Sequence, residues 1–243
     1  MLPAHLLLGF VGWGVGTVMG VSYKLGPMFA LAHVADERPA WLCWGLLNGG
    51  LVTLAAGLLA GWPLAACLGP GALILLAIVV FTADTARILR SRHKKVLEPT
   101  QWHALAGLGF LLLCGGLTMR AALGGVGWWL DGRTAAALGL LFLLGFVGQT
   151  IMGYLYKIVP FLVWNRRYAP LVGRQKVPVM RDLIQDRAAR AAFWLYNAGL
   201  IGLLAAVLWE RNLIGPAASA VALATWLFGL NLAAALRPRG KGV

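Results

Sequence analysis

Acidic residues are scarce: 8 Asp and Glu stand against 21 Lys and Arg, and charged residues of both signs make up only 12% of the chain. With 60% hydrophobic residues and a mean hydropathy of +0.78, the sequence excludes an ordinary water-facing domain. Cysteine is nearly absent as well. Cys43, Cys67 and Cys114 fall on separate apolar segments with no C-x-x-C spacing, which excludes a disulfide framework and a thiolate metal site and leaves them as small core residues. Walker-type loops, H-E-x-x-H, G-x-S-x-G and dinucleotide fingerprints are missing in any usable context. The G-x-G patterns of "GWGVG" sit inside an apolar helix rather than at a strand-to-helix turn, so they are not phosphate cradles. No catalytic residue is assigned, and an autonomous enzyme is disfavoured.

What is abundant is apolar length. Runs able to cross a bilayer, about 20 residues each as helix, are placed near 5–31, 41–61, 66–89, 101–121, 134–164, 191–209 and 213–236. The sequence predicts an all-α integral membrane protein of seven transmembrane helices. The longest polar connection, Asn165 to Arg190, is too short to bury a core of its own.

The excess of basic residues, a net charge of +13, collects in "RILRSRHKK" (Arg87 to Lys95), in the 165–190 connection and in the tail "RPRGK" (Arg237 to Lys241). Seven crossings place these blocks on one side together with Arg38, while Arg120, Arg133 and Arg211 fall on the other. The positive-inside rule then makes the N-terminus outside and the C-terminus cytoplasmic. The expected partner is anionic lipid at the cytoplasmic face rather than nucleic acid. A bacterial inner membrane is the expected location. No basic residue precedes the first segment, which argues against a cleaved signal peptide. Within the 165–190 connection, Pro178 is expected to open a short helix with Val179, Leu183 and Ile184 toward the membrane and Arg181, Asp182, Arg187 and Arg190 away from it.

The chain repeats itself. "TVMGVSYKLGPM" at Thr17 is matched by "TIMGYLYKIVPF" at Thr150, "NGGL" at Asn48 by "NAGL" at Asn197, and Gly69-Pro70 by Gly215-Pro216. This predicts a parallel internal repeat in which helices 1–3 are related to helices 5–7, with helix 4 as connector. The corresponding divisions are 1–97, 98–133 and 134–243. Polar residues follow the repeat: Lys24, Asn48 and Asp84 in the first copy, Lys157, Asn197 and Asn231 in the second. An intramembrane charge costs about 2.5–3.5 kcal/mol unless it is paired or snorkels. Lys24 is expected to pair with Asp84, with Arg87 as a local competitor for the carboxylate. Lys157 faces Asn231 in the same scheme, or snorkels. Pro27 and Pro160 follow the two lysines and are expected to kink or end their helices.

The first segment carries a further pattern. His5, Gly12-Trp13, Gly20, Tyr23 and Pro27 read H-x6-G-W-x6-G-x2-Y-x3-P. This resembles one helix of the catalytic subunit of the haem-copper oxidase and nitric oxide reductase superfamily, whose pattern is H-x-H-x4-G-W-x6-G-x2-Y-x3-P. The resemblance covers about the first 30 residues. It implies a haem as cofactor with His5 as axial ligand to its iron, and Trp13 and Tyr23 as neighbours of the same site. The family's second histidine falls on Leu7, and His33, His93 and His103 lie on the other side of a core of about 30 Å. The full metal centre cannot be assembled from this chain.

The resemblance implies a non-catalytic or accessory protein related to the haem-copper oxidase core, in a respiratory or denitrification complex, with another membrane subunit or a homo-oligomer as partner. The alternative is a small-molecule or anion transporter built on the parallel repeat, with Lys24 and Lys157 along its pathway. A third possibility is a scaffold whose polar residues serve packing alone. Trp41, Trp44, Trp102, Trp128, Trp129 and Trp164 lie near segment ends, where an aromatic belt accounts for them.

Overall fold

The computed structural model describes residues 1–32, 36–93, 96–125, 132–209 and 211–237. His33, Lys94, Lys95, Trp128, Trp129 and the tail from 238 fall outside the described residues. Seven helices are long and apolar enough to cross a membrane: α1 Leu2–Ala30, α2 Arg38–Leu59, α3 Leu64–Arg90, α4 Pro99–Leu123, α5 Gly132–Arg167, α6 Asp186–Leu208 and α7 Ile214–Leu236. No strand occurs among the described residues. The chain is therefore an all-helical, multi-pass membrane protein, and each helix coincides with one of the apolar runs.

Two helices are not α-helical throughout. π-Helical turns occupy Leu8–Val15 of α1 and Leu140–Gly148 of α5, positions that superpose when Tyr23 is set over Tyr156. Such turns widen the helix and turn side chains away from their α-helical directions, often beside functional residues. The prolines behave differently in the two copies. α1 ends at Ala30, three residues past Pro27, and Leu31 closes it with φ 50°. α5 continues through Pro160 to Arg167, so the expected helix end there is not found. At 36 residues and about 1.5 Å per residue, α5 is about 54 Å long and overshoots a hydrocarbon core of about 30 Å.

The chain forms two compact units, Met1–Val96 with Leu105–Val147, and Leu97–Ala104 with Gly148–Val243. α4 and α5 contribute to both. The first unit is organised around α2 against α3. A Cβ at Gly50 would stand 2.8 Å from the Pro70 carbonyl oxygen and 3.0 Å from the Ile74 nitrogen, so only glycine lets the two backbones approach this closely. Val15, Met19, Cys43, Leu47, Ala77, Phe81 and Phe146 fill the adjoining core.

The second unit is organised in the same way around α6 against α7. A Cβ at Gly199 would stand 2.9 Å from the Ala217 carbonyl oxygen and 2.9 Å from the Val221 nitrogen. Its connection before α6 departs from expectation. Pro178 does not open a helix; a short 3-10 turn runs Met180–Leu183, and Arg187 and Arg190 already belong to α6. Leu183 is fully buried among Val163, Tyr168 and Ala235 instead of facing lipid. The indole nitrogen of Trp164 donates to the Pro178 carbonyl at 2.8 Å and ties the connection to α5. Arg181, outside the helices, has its pKa raised by its hydrogen bond to Asp186.

Candidate functional site

A histidine, a glutamine and an asparagine buried among apolar helices need hydrogen-bond partners. In the second unit they find one another. His103, one turn into α4, and Gln149, at the end of the π-helical turns of α5, are both fully buried. The Nδ1 of His103 bonds the Gln149 Oε1. Gln149 Nε2 donates to Asn197 Oδ1 of α6 at 2.8 Å, and Asn197 Nδ2 donates to the Phe193 carbonyl at 2.7 Å.

The direction of this chain follows from its last link. The Phe193 carbonyl can only accept, so Asn197 must present its nitrogen there and its oxygen to Gln149. Gln149 then has its oxygen left for His103, which fixes Nδ1 as the protonated nitrogen of a neutral ring. In the neutral ring Nε2 is then a lone-pair acceptor, and this buried atom has no hydrogen-bond partner. The ring is held by aromatic neighbours, with centroids 5.7 Å from Tyr156 and 5.1 Å from Phe193, the latter edge-on at 89°. Gly153 makes room for it, since a Cβ there would lie 2.9 Å from His103 Cβ and 3.1 Å from the Thr100 carbonyl oxygen.

An ion pair lies five residues before His103. Lys157 of α5 donates to the carboxylate of Glu98, with side-chain exposures of 23% and 15%. Lys157 is thus neutralised by Glu98, the residue before α4, a partner the repeat did not point to. Asn231 instead closes a two-bond clamp on Gln185, accepting from its N–H at 3.0 Å and donating to its carbonyl at 3.1 Å, which fixes the start of α6.

The repeat-matched polar residues of the first unit, Lys24, Asn48 and Asp84, do not bond one another. Asp84 is buried and pairs with Arg87 on its own helix at 2.7 Å, while Lys24 is exposed; the local competitor displaces the expected Lys24 bridge. Asn48 Nδ2 donates to the Trp44 carbonyl at 2.9 Å. Cys43 is buried with its sulfur 3.6 Å from that of Met19, and Tyr23 lies edge-on to Phe81 at 5.4 Å.

Of the residues implied by the family resemblance, His5 is exposed on the first turn of α1 and Trp13 is 77% exposed. Neither lines the apolar cavity of this unit, whose walls offer no nitrogen donor. Among the described residues no group of three or more His, Cys, Asp or Glu comes together. The first unit therefore does not fit an enclosed haem held by His5. No protein family, no curated protein and no solved structure matches the chain.

From the sequence His103 is set only on the side of the membrane opposite His5, and neither Gln149 nor Glu98 is singled out. A signal for Gln149 existed. With Thr150 it is one of two polar residues in the run from Leu140 to Met152, and its counterpart in the first copy is Gly16.

Proposed function

We propose that the protein is a small-solute transporter of a bacterial inner membrane in which His103 is the proton-accepting group. The observation that carries this reading is the buried Nε2 of His103, a lone pair held ready by a hydrogen-bond chain that fixes the opposite nitrogen as donor. An ionisable residue retained inside a membrane helix marks a solute or proton site by default. Protonation at Nε2 would turn the Nδ1 contact to Gln149 into a charge-assisted bond, which strengthens it and offsets part of the cost of the new charge. The Glu98–Lys157 ion pair carries no net charge of its own. The lysines themselves are weak candidates for an anion pathway, since one is exposed and the other paired.

The architecture proposed is two parallel copies of a three-helix unit joined by α4, with the N-terminus outside and the C-terminus cytoplasmic. Matched contacts support the repeat. Gly50 meets Pro70 and Ile74 as Gly199 meets Ala217 and Val221. Tyr23 meets Phe81 as Tyr156 meets Phe228, and Asn48 and Asn197 each bond the carbonyl four residues back. The copies differ where chemistry is proposed, because the first has no equivalent of His103 or Gln149.

The test is solid-supported-membrane electrophysiology on proteoliposomes, against a panel of small organic acids, amino acids and inorganic anions at two pH values. A pH-dependent transient that disappears in His103→Gln with helix content retained is the expected result. A transient unaltered by that substitution would refute the role of His103.

The α1 pattern favours a second reading, an accessory subunit related to the haem-copper oxidase core. There His5 would meet a haem on the outside of α1, shared with a partner subunit. Oxidised and dithionite-reduced absorbance spectra of wild type and His5→Ala separate the two readings.

A further inference from the structure

The first unit contains an apolar cavity of about 260 Å³. It is walled by α1 from Pro3 to Val15, α3 from Leu64 to Ile78, α4 from Leu111 to Ala122 and α5 from Ala135 to Leu143. At about 1.5 Å of rise per residue, the α3 wall alone is about 21 Å long, so the cavity is a slot running along the helices. Its lining side chains are hydrocarbon except for Cys67, Cys114, Thr118 and the thioether of Met119. Thr118 already donates to the Cys114 carbonyl at 2.9 Å. The buried polar atoms that lack partners all belong to residues outside this lining.

Glycine has a different role here from the one it has between α2 and α3. Gly139 lines the slot, and a Cβ added to it would meet nothing within 4 Å; at Gly71 it would meet only the end of Met119 at 3.7 Å. These glycines do not bring backbones together; they keep space open. Water does not fill such a space, because it would find no polar partners. Left empty, the walls would lose dispersion contacts along their whole length.

We infer that this slot is a binding site for a single hydrocarbon chain, an acyl or isoprenoid tail lying parallel to the helices. Length, apolar lining and the absence of any charged group on the walls select a chain over a compact or polar ligand.

The experiment is spin-label titration of the full chain in detergent with a stearic acid carrying a mid-chain nitroxide. One saturable, motionally immobilised equivalent is expected in the wild type. Its affinity should fall at least tenfold in Gly139→Leu and in Gly71→Leu, and stay unchanged in Gly229→Leu, a site open on α7 of the other unit. Displacement by geranylgeraniol at lower concentration than by palmitic acid would assign an isoprenoid tail, and the reverse order an acyl tail. Absence of a saturable equivalent in the wild type overturns the inference whether or not the variants fold. So does wild-type affinity in a folded Gly139→Leu protein.

Discussion

Alanine substitution at two adjacent glycines should have opposite effects on stability. At Gly50 an added Cβ meets the Pro70 carbonyl oxygen at 2.8 Å, Ile74 Cγ1 at 2.9 Å and the Ile74 nitrogen at 3.0 Å, whereas at Gly49 it meets nothing within 4 Å. The Ile74 side chain can rotate aside, but the two backbone atoms cannot. α2 and α3 must therefore separate by roughly 0.5–1 Å, a gap that forfeits a quarter to a half of the dispersion well at each contact. Over a few tens of atom pairs at about 0.1–0.2 kcal/mol each, the loss is about 1–3 kcal/mol, the usual range for overpacking. Gly49→Ala has no such cost and gains up to about 1 kcal/mol of helix propensity. Gly50→Ala gains the same propensity, so the two variants should differ by the overpacking loss alone, about 1–3 kcal/mol. Reversible unfolding in mixed micelles with increasing dodecyl sulfate, followed by far-ultraviolet circular dichroism, measures the difference. A gap below about 0.5 kcal/mol, within the scatter of ordinary surface substitutions, would refute the close-approach argument. Gly199→Ala should repeat the Gly50→Ala result, since it too runs into backbone atoms.

Three other outcomes follow from the polar contacts. Glu98→Gln should cost up to about 3 kcal/mol by leaving Lys157 without its counter-charge, and adding Lys157→Met should restore more than half; Lys24→Met alone should stay within about 0.5 kcal/mol. The same micelle titration, arranged as a double-mutant cycle, checks this. Gln149→Leu should cost about 2–4 kcal/mol because it strips partners from both His103 and Asn197. It should also shift the imidazole nitrogen resonances of His103 away from a pure Nδ1–H tautomer, read by nitrogen-15 NMR. Arg87→Met should destabilise by stranding the buried Asp84 carboxylate, and Asp84→Asn in the same chain should reverse the loss, since the second copy has Asn231 at that position.

The seven helices were legible because membrane crossing depends on length and apolarity, which are local properties. "NGGL" and "NAGL" were legible as a repeat. That Gly50 rather than Gly49 packs α2 on α3, and that Gly199 packs α6 on α7, was not, because that depends on the rotation of one helix against another. The site was missed for a related reason. Matching the copies draws attention to shared residues, and the shared set Lys24, Asn48, Asp84, Lys157, Asn197 and Asn231 turns out to be satisfied mostly within a helix or by backbone. His103 stands on α4 and Glu98 just before it, in a segment that has no copy, and Gln149 stands where the first copy has a glycine. Lys157 and Asn197 took partners from those residues. Charge proximity along a single helix decided Asp84, where Arg87 three residues away reached the carboxylate.

The amide chain behind His103 makes the site a cul-de-sac. Its final acceptor is a carbonyl built into α6, so neither Asn197 nor Gln149 can reverse without leaving two like atoms face to face. Neither amide can itself accept and release a proton at ordinary pH. A proton that enters at Nε2 therefore has no exit through the ring to the far side, and it leaves by the nitrogen through which it arrived. Vectorial movement, if the ring is its carrier, must come from a change in what Nε2 faces between loading and unloading. In the proposed role the membrane would be crossed by switching the door, not by handing the proton along a wire.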